Sequence, residues 1–341
     1  MTMRFRIVLL VIFSFVLTSC DDIDDLLSWY MEDTSFQSRI WDNAPHCAFT
    51  GLTEYKGKYY CCFREAVAHV PTSPDNYGKI RILESVDGEK WVSVGLVGDK
   101  DYDLRDPKLT VTSDNRLMLI YGCSNIENGQ LFFRKTGVRF FSGELTSAQL
   151  SFTNAQAVSI QQDKTLSSYW LWRVVWKDGI AYGVAYSANV KPLLVRSVDG
   201  VNYSLITELN IQGNEADIEF LEDGGMMIVS RAVSGNGYIG TASFPYTEWT
   251  WNDSGYLIHC PDIITLDGQR FVAGRGLDGT MLYHIKNNVL DPIYVFPGGG
   301  DNAYPGVIRV NDELWMSYYA GPGKISIYFA KISIQKIFSR L

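Results

Sequence analysis

Six times along the chain an apolar run enters a tight turn and returns as a second apolar run. The turns fall at Gly57, Asn115, Gly179, Gly224, Gly268 and Asp312. Two clear copies read Val174-Val-Trp-Lys-Asp-Gly179-Ile-Ala-Tyr and Ile263-Ile-Thr-Leu-Asp-Gly268-Gln-Arg-Phe. Asp-Gly and Asp-Asn between alternating apolar residues favour hairpins, because they tolerate the positive φ that a tight turn demands. The turns are 44 to 64 residues apart, and blades of a β-propeller run about 40 to 50 residues. The wider early gaps leave room for insertions. No helical period of useful length competes after the N-terminal segment. The pattern predicts an all-β chain folded as one six-bladed β-propeller over 39–341. A β-sandwich has similar hairpins but no reason for this regular spacing.

The 341 residues carry a net charge of −8, with 46% hydrophobic and 20% charged residues. That composition suits a globular core and excludes a disordered chain. The negative balance argues against a nucleic-acid partner and against an anionic membrane surface. Arg4 and Arg6 precede the apolar run from Ile7 to Leu17, which is too short to span a bilayer and reads as an export signal over 1–19. The ending Leu17-Thr-Ser-Cys20 resembles a bacterial lipobox, which implies cleavage before Cys20 and lipid on that residue. The acidic run Asp21, Asp22, Asp24 and Asp25 resembles the surface-export signals of Bacteroidetes lipoproteins. Residues 20–38 read as an acidic linker. The expectation is a monomer that meets the membrane only through its lipid, at the outer membrane, on the cell surface or facing the periplasm.

Cys47, Cys61, Cys62, Cys123 and Cys260 form no C-x-x-C pair and read as small apolar core residues. A disulfide is possible in an exported protein, but the sequence pairs none. The four histidines, 46, 69, 259 and 284, have no ligand spacing along the chain. No metal and no cofactor are expected.

Seven residues beyond each turn stand Arg64, Gly122, Tyr186, Arg231, Arg275 and Tyr319. Equivalent positions of a propeller lie at one end of its channel, so three arginines should converge there. A guanidinium donates two parallel hydrogen bonds to a carboxylate or phosphate, so such a cluster reads as an anion receptor. The residues entering each hairpin belong to the same end. They include His46, Arg105, Asp106, Arg173, Glu215, Asp217, Asp262, Asp301 and Tyr304. Acids, cations and an aromatic hydroxyl together are what acid–base chemistry needs, although paired charges lining a wet channel mouth have the same composition.

Ser85-Val-Asp-Gly-Glu-Lys-Trp91 and Ser197-Val-Asp-Gly-Val-Asn-Tyr203 resemble the Asp-box turn of sialidase-type propellers. Asn214-Glu215-Ala-Asp-Ile-Glu-Phe through Arg231 resembles the sialidase segment with the catalytic glutamate and second arginine. Ala303-Tyr304-Pro-Gly through Tyr319 resembles the segment with the nucleophilic tyrosine, Phe63-Arg64 the start of the Phe-Arg-Ile-Pro motif, and Gly274-Arg275 the third arginine. Asp75 falls where that family has its acid/base aspartate. Together with Ala44-Pro-His46 and Asp103-Leu-Arg-Asp-Pro-Lys108, the resemblance is nearest to sialidase-like proteins of environmental and gut bacteria, and it spans about 39–341.

It implies an exo-acting glycosidase that removes a terminal acidic sugar from a glycan with retention. Sialic acid carries a carboxylate on its anomeric carbon, so a neutral tyrosine attacks in place of a carboxylate. Tyr304 would be the nucleophile, Glu215 its base and Asp75 the acid/base. Arg64, Arg231 and Arg275 would hold the substrate carboxylate, with Arg105, Asp106, Arg173 and Asp301 as further binding residues. Trp170, Trp172 and Tyr186 could stack on sugar rings or fill the blade core. Glu65, where the motif has isoleucine, would compete for Arg64 if it points inward. Ala44-Pro-His46-Cys-Ala-Phe-Thr50 also resembles propeller hydrolases that cleave uronic-acid-linked rhamnose with a histidine, which would make His46 the catalytic group. A glycan-binding surface lipoprotein without turnover, or an adhesive propeller, are the remaining readings.

Overall fold

The computed structural model describes residues 36–143, 149–161, 165–166 and 169–341. The expected signal segment, Cys20 and the acidic run lie outside them. The described residues build six sheets in a ring, a six-bladed β-propeller. Each of the six predicted hairpins supplies the two innermost strands of one sheet.

In blade 1 the strands are His46–Tyr55, Lys58–Ala66, Lys79–Ser85 and Val92–Val97. Blade 2 has Asp103–Val111, Leu117–Glu127, Gln130–Phe140 and the short Gln156–Ala157. Blade 3 runs from Trp170–Lys177 through Ile180–Tyr186 and Leu193–Ser197 to Asn202–Glu208, and two short strands, Ser159–Gln161 and Thr165–Leu166, extend its outer edge. Blade 4 contains Gly213–Phe220, Met226–Ala232, Tyr238–Ala242 and Thr250–Asp253, and blade 5 His259–Leu266, Gln269–Gly276, Gly279–Lys286 and Val289–Val295. Blade 6 has Ala303–Val310, Glu313–Ala320 and Ser326–Ser333. Its outermost strand is Phe36–Trp41, paired antiparallel with Ser326–Ser333. The two ends of the described chain are thus joined in one sheet.

Each seam between neighbouring sheets holds one apolar cluster. Between blades 5 and 6, for example, Leu266, Phe271 and Leu282 pack against Val307, Leu314 and Met316. Alternation along each strand sends side chains to the two seams flanking it, which is why both faces are apolar. The Ser85 and Ser197 turns share one geometry. Asp87 Oδ1 accepts the N–H groups of Glu89 and Lys90 at 2.8 and 3.0 Å, and Asp199 Oδ1 those of Val201 and Asn202, both at 2.8 Å.

All six innermost strands carry a bulge near the same end. The register shifts between Ala48 and Gly51, Arg105 and Lys108, Leu171 and Val174, Gly213 and Ala216, His259 and Asp262, and Ala303 and Gly306. Phe49, Asp106, Cys260 and Tyr304 sit in these bulges with φ of 66°, 47°, 47° and 51°. A bulge re-aims a side chain that regular pleating would send into a seam. Four non-glycine residues held at positive φ at one level of one channel mark where the fold is under constraint.

Candidate active site

At the bulged end a cavity of about 470 Å³ opens, lined among others by His69, Arg231, Arg275, Asp301, Tyr304 and Tyr319. Glu215 stands behind it, buried, and its two oxygens are used separately. Oε1 accepts the phenolic hydrogen of Tyr304 in a short hydrogen bond. Oε2 accepts from Arg231 Nη1 at 3.3 Å and from the Cys260 N–H at 2.9 Å. The bulges of blades 4, 5 and 6 therefore interlock. Tyr304 N–H in turn contacts Cys260 Sγ at 3.2 Å, and Thr50 Oγ1 donates to the Tyr304 carbonyl at 2.7 Å. Burial, then the negative charges of Asp106 and Glu215, push the Tyr304 hydroxyl well above the usual tyrosine range. A phenol so placed stays protonated until a base takes the proton, and Glu215 is already hydrogen-bonded to it.

Arg231 and Arg275 present open guanidinium faces, with side chains 32% and 42% exposed. Arg275 Nη1 lies 2.9 Å from Asp301 Oδ1, which also accepts from Tyr319 Oη at 3.2 Å.

Arg64 does not join them. Its side chain is fully buried, with Nη2 and Nε donating to Asp103 Oδ1 at 2.6 and 3.2 Å and Nη1 to the Ala68 carbonyl at 2.8 Å. Glu65 is no competitor, since it accepts from Arg81 Nη2 at 2.8 Å and from Trp41 Nε1 at 2.7 Å. The residue that takes Arg64 is Asp103. Arg105 bonds Asp103 Oδ2 at 3.2 Å and the His69 carbonyl at 2.9 Å, with its guanidinium over Phe49. Asp75 is exposed, in a 3-10 turn at Pro74–Asn76, and does not line the cavity.

Arg173 lies deeper in the channel, ion-paired with Asp262 and 3.6 Å from Asp217. It lines a second cavity of about 210 Å³ with Lys108. Burial, with Asp262 adjacent, pushes the Asp217 carboxyl up. Asp106 is buried, and its Oδ2 accepts from Trp172 Nε1 at 3.3 Å. Trp172 is core beneath Tyr304, with ring centroids 6.1 Å apart. Trp170 stacks between Phe133 and Tyr186 at 4.9 and 6.0 Å.

His46 is buried and does not line the cavity. Burial, and then Arg64, His69 and Arg105, lower it to about 4. Its ring stands 5.3 Å from that of His69. His69 is half exposed, and its Nδ1 is 3.9 Å from Asp301 Oδ2. Burial and Arg105 lower the His69 imidazole as well. Chain spacing shows no metal ligands, yet the fold brings one donor atom each of His46, His69 and Asp301 within 4.8 Å of one another. His69 escapes a reading by repeats because it lies on the insertion 67–78, outside every repeat register. Tyr319 stands at the shared register position, and it lines the cavity just as Arg231 and Arg275 at that register do.

No family model matches the chain, and no curated protein matches it in sequence. Solved structures do match in fold. A protein of unknown function from Dyadobacter fermentans superposes with a TM-score of 0.76 at 15% identity, covering 88% of this chain and 98% of that one. The Trypanosoma rangeli sialidase, solved with the inhibitor DANA, gives a TM-score of 0.64 at 12% identity over 91% of this chain and 60% of its own. An α-L-arabinofuranosidase from Fusarium graminearum gives 0.64 at 12% identity, covering 90% and 100%. The fold is thus one that sialidases and an arabinofuranosidase use, and the chain spans about 60% of the sialidase's length.

Proposed function

We propose that the protein is a glycoside hydrolase that removes a terminal acidic sugar, sialic acid or a related one, from a glycan with retention of configuration. The observation that carries this reading is the chain Tyr304–Glu215–Arg231 at the wall of an open cavity. Tyr304 Oη attacks the anomeric carbon, its proton passes to Glu215 Oε1, and the bond to the leaving oxygen breaks. Asp75 has no place in this scheme, and the leaving oxygen takes its proton from water at the open mouth. Water then attacks the same carbon and loses its own proton to solvent, the Tyr304–sugar bond breaks, and Glu215 returns its proton to the phenolate. Arg231 and Arg275 hold the sugar's carboxylate. The Glu215 carboxylate stays behind the phenol, where it does not meet the substrate's own negative charge.

The histidine-dependent reading has less support, because His46 is buried behind His69. The test is to incubate the chain from Asp21 onward, without its N-terminal segment, with terminal sialosides, glucuronides, uronate-linked rhamnosides and neutral arabinosides, and to measure free sugar. Release from the sialosides is expected. Release from neutral arabinosides only would refute the acidic-sugar reading.

Cys20 belongs to the same proposal as a lipidated residue that holds the enzyme at the outer membrane, on the cell surface or facing the periplasm. Its glycan partner would then be met outside the cytoplasm.

A further inference from the structure

Blade 1 supplies no free arginine to the cavity, because Arg64 is closed off by Asp103. At the edge of the cavity nearest that blade stand His46, His69 and Asp301. Their donor atoms lie within 4.8 Å of one another. Asp301 Oδ1 is engaged by Arg275 and Tyr319, and Oδ2 is the oxygen near His69. His46 is 6% exposed, and its Nδ1 is buried with no hydrogen-bond partner. A buried polar atom without a partner is rare, so this imidazole sits in an incompletely satisfied polar environment. Three elements from separate parts of the chain meet here: the first strand of blade 1, the insertion 67–78, and the entry to blade 6.

We propose that His46, His69 and Asp301 bind a first-row divalent cation, and that its open positions take the carboxylate of the acidic sugar. Two imidazole nitrogens and one carboxylate oxygen are the donor set of zinc, cobalt, nickel and iron rather than of calcium or magnesium. The cation would supply the positive charge that the buried Arg64 withholds. Arg105 and Arg275 stand near the site and oppose a cation, although each is paired with a carboxylate. An incoming sugar carboxylate offsets that repulsion, so cation and acidic sugar should bind cooperatively. By linkage each raises the other's affinity by the same factor, typically about 5 to 150-fold.

The second half of this inference rests on the acidic-sugar reading above, whereas the first does not. The probe is Co²⁺, titrated into the purified chain and followed by visible d–d absorption. Saturation at one equivalent is expected in the wild type and in Tyr304→Phe. His69→Gln and Asp301→Asn should each weaken binding at least tenfold; His69 is exposed and Asp301 partly so, and circular dichroism checks that both variants keep the fold. Free N-acetylneuraminate should tighten Co²⁺ binding. Absence of saturable binding up to millimolar Co²⁺, or binding untouched by His69→Gln, overturns the site. Saturable binding lost in His69→Gln but indifferent to any acidic sugar keeps the cation site and overturns its role in carboxylate binding. Metal-free turnover of sialosides with no Co²⁺ binding refutes this inference and leaves the proposed function standing.

Discussion

Asp103 Oδ1 receives both Nη2 and Nε of Arg64, at 2.6 and 3.2 Å, with neither side chain reached by solvent. Oδ1 also takes the Gly78 N–H, and Oδ2 takes Arg105. The carboxylate is therefore saturated, and the arginine is a strut between blades 1 and 2 rather than a hand in the cavity. Removing one partner leaves the other charge buried and unpaired, which typically costs about 3–5 kcal/mol. Arg64→Met and Asp103→Asn should each lower stability by that order in urea unfolding. The double variant should cost less than the sum. A stable Arg64→Met with weakened substrate binding would instead return Arg64 to the site.

Asp106 predicts a pH dependence of stability. Burial pushes its carboxyl up to about 6, against the attraction of Arg105 and Lys108. Below about pH 4 the group is protonated folded or unfolded and contributes no difference. As pH rises toward 6 the unfolded chain ionises it more readily, so its contribution to stability falls, and above 6 the loss is complete. A shift of about two units corresponds to roughly 3 kcal/mol. Asp106→Asn keeps the shape and tolerates the residue's φ of 47°. The stability of wild type minus that of Asp106→Asn should drop between pH 4 and 6 and stay level above. A difference that is flat across this range would contradict the shift.

Gly122 occupies the register position that holds arginine or tyrosine in the other five blades. A Cβ there would stand 2.3 Å from the Trp170 ring. Gly122→Ala should displace Trp170 from its stack with Phe133 and Tyr186, with a loss of about 1–3 kcal/mol by overpacking. Thermal unfolding and tryptophan fluorescence read both effects. An unchanged melting temperature would show that the stack is slack.

The repeat makes the fold legible, since six Asp-Gly-like turns between apolar runs state the blade count and which strands lie innermost. The same register locates Arg231, Arg275 and Tyr319, because equivalent residues of equivalent strands end at one rim. Where the pattern misleads, the residues either have no equivalents or meet a partner from another blade. His69 and Asp75 share the insertion 67–78, and nothing in the chain's order says that one turns to the cavity and the other to solvent. Arg64 obeys the register but meets Asp103 from the next blade, and pairing between blades is invisible to a pattern within blades. Arg173 sits inside a bulge, one position past Trp172, and a one-residue change of phase carries a side chain to another level of the channel.

Cys20 tests the cellular side of the proposal. Cys20→Ala should move the protein from the membrane fraction to the soluble fraction and leave the thermal unfolding of the propeller unchanged. Equal partitioning of wild type and variant would contradict lipidation.

We propose that Tyr304 attacks and Glu215 takes its proton. It is tested most directly by initial rates on a sialoside for wild type, Tyr304→Phe and His46→Gln. Losing a positioned acid/base group typically costs about 100 to 10,000-fold, and losing the nucleophile should cost at least as much. Tyr304→Phe should lose at least about 100-fold in kcat, while His46→Gln should retain Tyr304-dependent turnover. Turnover that survives Tyr304→Phe would contradict it.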